Sequence, residues 1–153
     1  MHFITGGNFN GKRKWALNFY QLTPQSDHVH FLSFYKENTK MEKVDLLKKP
    51  VLMLEGLEYF IQQKLTTMGM EETSHYFCQL FKELINWENQ EEQHQVIVIG
   101  SDITKGIVPM DKKERVWRDA VGWVYQEAAQ NSKRVDIIWY GLNGTLKQRK
   151  EGV

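Results

Sequence analysis

Seven residues near the start constrain this chain more than any others. Gly6-Gly7-Asn8-Phe9-Asn10-Gly11-Lys12 follows a short apolar run, His2 to Thr5. It precedes a stretch from about Gly11 to Leu22 in which Trp15, Ala16, Phe19 and Tyr20 recur at helical spacing. The order is therefore strand, glycine-rich loop, helix. Glycines let the backbone curl until successive N–H groups point into one hollow. The following helix adds the positive end of its dipole, and a lysine after the last glycine can reach the outer groups of a polyphosphate. Gly6, Gly11 and Lys12 fit that spacing, but the next position departs from it. A Ser or Thr is expected there, with a hydroxyl that ligates magnesium, and Arg13 stands in its place. A guanidinium offers a cation no lone pair and repels one nearby. The same glycines also suit a plain strand-to-helix turn with positive φ, so the motif alone leaves both readings open.

The rest of the chain alternates short apolar runs with amphipathic stretches. Strands are expected at His28 to Tyr35, Val51 to Leu54, Gln95 to Ile99 and Val135 to Tyr140, the last closed by Gly141 and Asn143-Gly144. Helices are expected around Leu57 to Leu65, Glu71 to Trp87 (separated from the former by Gly69) and Met110 to Gln130. Lys36 to Lys49, polar with five lysines, reads as a loop with one helical turn. Strands alternating with helices require crossover connections, hence a mostly parallel sheet covered on both faces. One domain over residues 1–147 is expected, with 148–153 a frayed tail.

Composition narrows the function. At 153 residues, with 41% hydrophobic and 25% charged side chains, the chain has material for one packed core. A formal net charge of +1 gives no broad field for nucleic acid or an anionic membrane, so any phosphate site must be local. The single cysteine, Cys78, excludes an internal disulfide and a multi-cysteine zinc site. The longest aliphatic runs have four residues, against the roughly 20 that span a bilayer. No cationic stretch precedes an apolar segment at the start, and a cytoplasmic location is expected. Glu55, just after the Val51 to Leu54 strand, is placed to hold magnesium or its water. Taken alone, it reads rather as an exposed acid capping the helix that begins near Gly56.

Lys105 to Ala129 shifts the balance between these readings. It contains Gly106-Ile107-Val108-Pro109, then Arg115, Trp117, Arg118 and Asp119, then Gly122, Gln126 and Ala129. This run closely resembles the adenosylcobinamide kinase/adenosylcobinamide-phosphate guanylyltransferase family, which has Gly-Ile-Val-Pro, Arg-x-aromatic-Arg-Asp, Gly, Asn-Gln and Ala in the same register. The resemblance extends to the phosphate loop, to Leu54-Glu55-Gly56-Leu57 and to the Gly-rich turn with Lys147 near the end. It is weak between Gln21 and Pro50. Departures are Phe9, Asn10 and Arg13 in the loop, Ser101-Asp102 for the family's Asn-Glu, and Tyr125 for its Asn.

The resemblance implies a phosphate-loop (RecA-like) three-layer α/β sandwich with about five or six strands, in a trimer-like assembly. It implies phosphorylation of a corrinoid hydroxyl by ATP or GTP, then transfer of GMP through a guanylylated histidine. Carried onto this chain, Gly6, Gly7, Asn8, Phe9, Asn10, Gly11, Lys12 and Arg13 form the nucleotide loop. Lys12 and Glu55 are the catalytic pair, and Glu55 is the magnesium ligand. The family's histidine lies between the second and third strands, where Lys36 to Pro50 has no His, Arg or Trp. A covalent phosphoramidate needs an in-line imidazole, so the guanylyl step is expected to be lost. Kinase chemistry, which depends on positioning and charge, is expected to be weakened or lost, with Arg13 supplying part of the metal's charge as an alternative. Two readings follow: a nucleotide-binding member acting on adenosylcobinamide, or an inactive paralogue that binds nucleotide, corrinoid or a relative in a homotrimer or mixed oligomer. Arg115, Arg118 and Asp119 share a helix face and are read as structural or interface residues contributing to the site. Trp117, Trp123 and Cys78 are read as core or interface.

Overall fold

The computed structural model describes residues 1–150. Strands β1 (His2–Thr5), β2 (Val29–Ser33), β3 (Val51–Glu55), β4 (Gln95–Ile99), β5 (Arg134–Trp139) and β6 (Leu142–Gln148) form one sheet in the order β2-β3-β4-β1-β5-β6. The first five are parallel, and β6 pairs antiparallel to β5. Helices α1 (Lys12–Phe19), α2 (Leu57–Glu88) and α3 (Lys112–Asn131) supply three of the crossovers, and a loop joins β2 to β3. Alternation in the strands sorts the two cores. Phe3, Leu52, Leu54, Val96 and Val98 face α2 and α3, where they meet Phe60, Phe77, Phe81 and Val124. Ile4, Met53, Ile97, Ile99 and Ile138 face the other way, toward Ala16 of α1. Three layers result, in the expected class.

Gly69 divides α2. Its φ of 77° and ψ of −179° break the helix, at the point where the sequence separates two helical patterns. The loop before β3 contains one short 3-10 turn, Lys43–Leu47. The helix expected to reach Leu22 stops at Phe19, because Gln21 adopts a left-handed φ of 54°. The last strand pair corrects the sequence reading. Tyr140 and Gly141, with φ of 51° and 76°, form the turn of a two-residue hairpin. Asn143 and Gly144, read as part of the closing turn, pair within β6. Gln148, assigned to a frayed tail, ends that strand, and the Arg149 amide donates to the Lys133 carbonyl at 2.8 Å. Residues 151–153 of that tail lie outside the described residues.

A buried polar knot fastens β1 to β5 at the sheet's amino-terminal edge. His2 Nε2 lies 2.6 Å from Asp136 Oδ2, and His2 Nδ1 lies 2.6 Å from the Tyr20 hydroxyl. Arg134 Nε, Asn143 Nδ2 and the Thr145 hydroxyl also donate to Asp136, at 2.6, 3.0 and 2.7 Å. A neutral ring satisfies this arrangement: Nε2–H donates to the carboxylate and Nδ1 accepts from the phenol. Burial pushes the His2 pKa down to about 4, against partial support from Asp136. Burial alone would raise Asp136, but the donors around it, Arg134 foremost, hold it at about 2. Between pH 6.5 and about 4 the unfolded chain therefore binds a proton at His2 that the folded chain refuses. Stability should fall as pH drops through that window, by at most about 1.4 kcal/mol per pH unit from this group. Urea denaturation between pH 7.5 and pH 4.5 checks this, and His2→Gln should flatten the slope.

Candidate functional site

The site forms where β1 and β4 end side by side. The chain leaves β1 through α1 toward β2, and leaves β4 through α3 toward β5, so the connections diverge and open a crevice at the strands' carboxyl ends. Gly6 makes the exit possible. Its φ is 142°, and a Cβ there would lie 2.3 Å from the Ile138 carbonyl oxygen. Its own carbonyl accepts from the Asp102 amide at 2.9 Å. Asn10 is braced by the β5–β6 hairpin: its side-chain oxygen accepts from the Tyr140 amide at 3.1 Å, and its carbonyl from Gly141 at 2.9 Å. Gly11, at φ 85°, begins α1.

Asn8 and Phe9 are exposed on the loop; the Phe9 ring borders the cleft but, fully exposed at φ 59°, does not plug the hollow. Lys12 turns inward. It is 6% exposed, and its Nζ donates to the Gly7 carbonyl at 2.8 Å. Burial lowers its pKa, and the Glu58 charge partly offsets this. The ammonium thus sits inside the loop on a neutral carbonyl, a partner that an anionic oxygen can replace with a stronger charge-assisted bond.

Arg13 takes a different course. Its Nη1 donates to Glu55 Oε1 at 3.0 Å, and its guanidinium lies over the Phe31 ring at 5.7 Å. A magnesium ion held in the usual way would need a hydroxyl at position 13 and a free carboxylate at position 55. The residues present do not fit it, since the first offers a cation and the second is held by that cation. Among the described residues, no group of three or more His, Cys, Asp or Glu side chains could hold a metal ion.

Behind this pair lies a carboxylate that the sequence reading missed. Glu58, in the first turn of α2, is 1% exposed. Its oxygens accept from the Tyr35 hydroxyl at 2.9 Å, the Ser101 amide at 3.0 Å and the Tyr125 hydroxyl at 3.4 Å. Tyr125 also donates to the Ser101 carbonyl at 2.7 Å. Burial raises the pKa of both phenols, so they remain donors at neutral pH. The usable signal was the spacing of Glu55 and Glu58, but nothing local announced that the second would be buried.

Arg115 and Arg118 make their hydrogen bonds to the loop before α3. Arg115 donates to the carbonyls of Pro109 and Met110, and Arg118 to those of Thr104, Gly106 and Ile107. They staple the loop before α3, which is a structural role. Asp119 is exposed. Trp117 donates to the Glu58 carbonyl at 2.7 Å, while Trp123 stands on the surface. None of the five histidines lines the cleft beside the loop. His2 begins β1, His28 and His30 lie at the start of β2, His94 precedes β4, and His75 lies beyond the α2 kink.

A glycine loop between the central strand and the first helix of a parallel three-layer sheet defines a phosphate-loop type of α/β protein. The family described as cobinamide kinase / cobinamide phosphate guanyltransferase matches residues 32–146. That is well over half the chain, so the chain belongs to this family, whose role lies in cobalamin biosynthesis. The matched region includes Glu55 and all of Lys105 to Ala129, but begins after the phosphate loop. No curated protein matches the chain. Among the described residues no helix is long and apolar enough to cross a membrane.

Gly6→Ala should destabilise the fold by about 2 kcal/mol or more, since strained φ and a backbone clash combine there. Gly144→Ala, whose added carbon meets nothing within 4 Å, should shift stability far less. Urea midpoints compare the two.

Proposed function

We propose that this protein is a nucleotide-binding member of its family that holds the phosphates of ATP or GTP in the Gly6–Lys12 loop. In this reading it has lost guanylyl transfer and retains at most a slow phosphorylation of adenosylcobinamide. The observation that carries the reading is the inward Lys12, buried with Nζ on the Gly7 carbonyl of an unplugged loop. A β- or γ-phosphate oxygen placed there would take the ammonium from that carbonyl, and the first-turn amides of α1 would share the charge. Magnesium would have to displace the Arg13 guanidinium from Glu55, which weakens any metal-assisted phosphoryl transfer. Loss of the guanylyl step is supported by the placement of the histidines, none of which lines the cleft.

A second reading, a binding or oligomer partner within the same pathway, is favoured by one surface. Ile107, Val108, Met110 and Trp123 are all exposed. They cluster in sequence around Lys105 to Ala129, the run that most resembles the family.

Calorimetric titration of ATP and GTP tests the site. Lys12→Ala should weaken binding about tenfold or more, the cost of one charge-assisted contact. Equal heats from both proteins, or none from either, would remove the phosphate site. Incubation with labelled GTP should leave no acid-labile label on protein, and a labelled histidine would overturn the loss of guanylyl transfer.

A further inference from the structure

Arg13 does more than interrupt a motif. The cleft beside the phosphate loop, of about 520 Å³, is lined by three cations, Lys12, Arg13 and Lys14, and by one acidic residue, Glu55. Arg13 already neutralises that acid at 3.0 Å. A magnesium site works in the opposite sense, with uncommitted carboxylate and hydroxyl oxygens awaiting an external cation. Here the positive charge is covalently part of the chain, and the fixed charges favour an anion before any metal arrives.

Geometry supports the same conclusion. A guanidinium carries five N–H donors in a planar fork, and one of its terminal nitrogens serves Glu55. The side chain is 47% exposed while the carboxylate it holds is 8% exposed. Glu55 thereby fixes the orientation of a fork that is still open to the cleft. Phosphate oxygens are the ligand that such a fork takes best, often in bidentate fashion. Lys12 and Arg13, the first two residues of α1, both line one hollow.

We propose that the Arg13–Glu55 pair is a built-in replacement for the divalent cation, so that the site binds a nucleoside polyphosphate in its metal-free form. This rests on the nucleotide-binding reading above and adds that Arg13 sets the ligand's metal state. Glu55 is then the positioning residue for Arg13, not a metal ligand. Magnesium in solution competes with the site, because it claims the same phosphate oxygens and is repelled by the guanidinium.

The test is ATP binding by calorimetry, once with excess magnesium and once with a chelator, on the whole chain and on Arg13→Ser and Arg13→Lys. The unaltered protein should bind as tightly or more tightly with chelator present. Arg13→Ser should lose about tenfold or more in chelator and regain affinity when magnesium is added, reversing the order. Arg13→Lys, which keeps the charge, should retain the original order. Binding by the unaltered protein that needs magnesium would overturn this proposal and leave the phosphate site standing. No binding under either condition would overturn both. Because the unaltered protein alone separates these outcomes, the test survives if Arg13→Ser fails to fold.

Discussion

The structure depends on one close approach, that of Gly6 to the Ile138 carbonyl. β1 lies between β4 and β5 and must turn out of the sheet without pushing β5 away. With φ at 142° and no room for a side-chain carbon, only glycine allows the turn at that separation. The consequences run outward. The Gly6 carbonyl meets the Asp102 amide from the β4 side, and Asn10 meets the hairpin that follows β5. Segments following both flanking strands therefore hold the loop within which the Lys12 ammonium meets the Gly7 carbonyl.

The electrostatics of the site divide into two layers. Nearest the cleft, Arg13 and Glu55 cancel each other while Lys12 and Lys14 remain in excess. Deeper lies Glu58, whose oxygens are occupied by two phenols and a backbone amide rather than by a cation. A buried carboxylate survives only when hydrogen bonds or charges replace its lost hydration. Here neutral donors do that, and the residual field of Glu58 supports the Lys12 ammonium against burial. Tyr125 packs so closely that a Cβ on Gly100 would lie 2.2 Å from its hydroxyl. Tyr125 and Gly100 are thus steric complements, which helps explain how a bulky phenol fits in this part of the core.

Periodicity and punctuation made the five parallel strands and the helical stretches legible, with the two halves of α2 read as separate helices on either side of Gly69. β6 was not legible. Leu142 to Leu146 is exposed throughout, so no buried face marks it, and its glycine and asparagine read as turn residues. The hairpin turn falls instead at Tyr140-Gly141, where a tyrosine adopts positive φ. The phosphate loop, Lys12, Arg13 and Glu55 were all legible as candidates. What sequence could not supply was the bond between the last two. β1 and β3 are separated by β4, and only the completed strand order brings residues 13 and 55 within 3.0 Å. Glu58 was hidden for the same reason, since its partners arrive from Tyr35, Ser101 and Tyr125, far away along the chain.

The two ends of β1 act together. At its start, His2 joins Asp136, Arg134 and Tyr20 in a closed polar network. At its finish, Gly6 and Asn10 lean on Ile138, Tyr140 and Gly141, which belong to the same β5–β6 hairpin. One hairpin thus braces a four-residue strand at both ends. A phosphate loop held in this way is shaped before any ligand enters, so binding need not order its backbone, a cost of about 1–2 kcal/mol per residue where it must be met. This matters most if, as proposed above, the Arg13 side chain takes the place of an external divalent cation. A guanidinium carries less charge than a divalent ion. Preorganisation of the loop, with Lys12 already turned inward, is the term that can offset the difference.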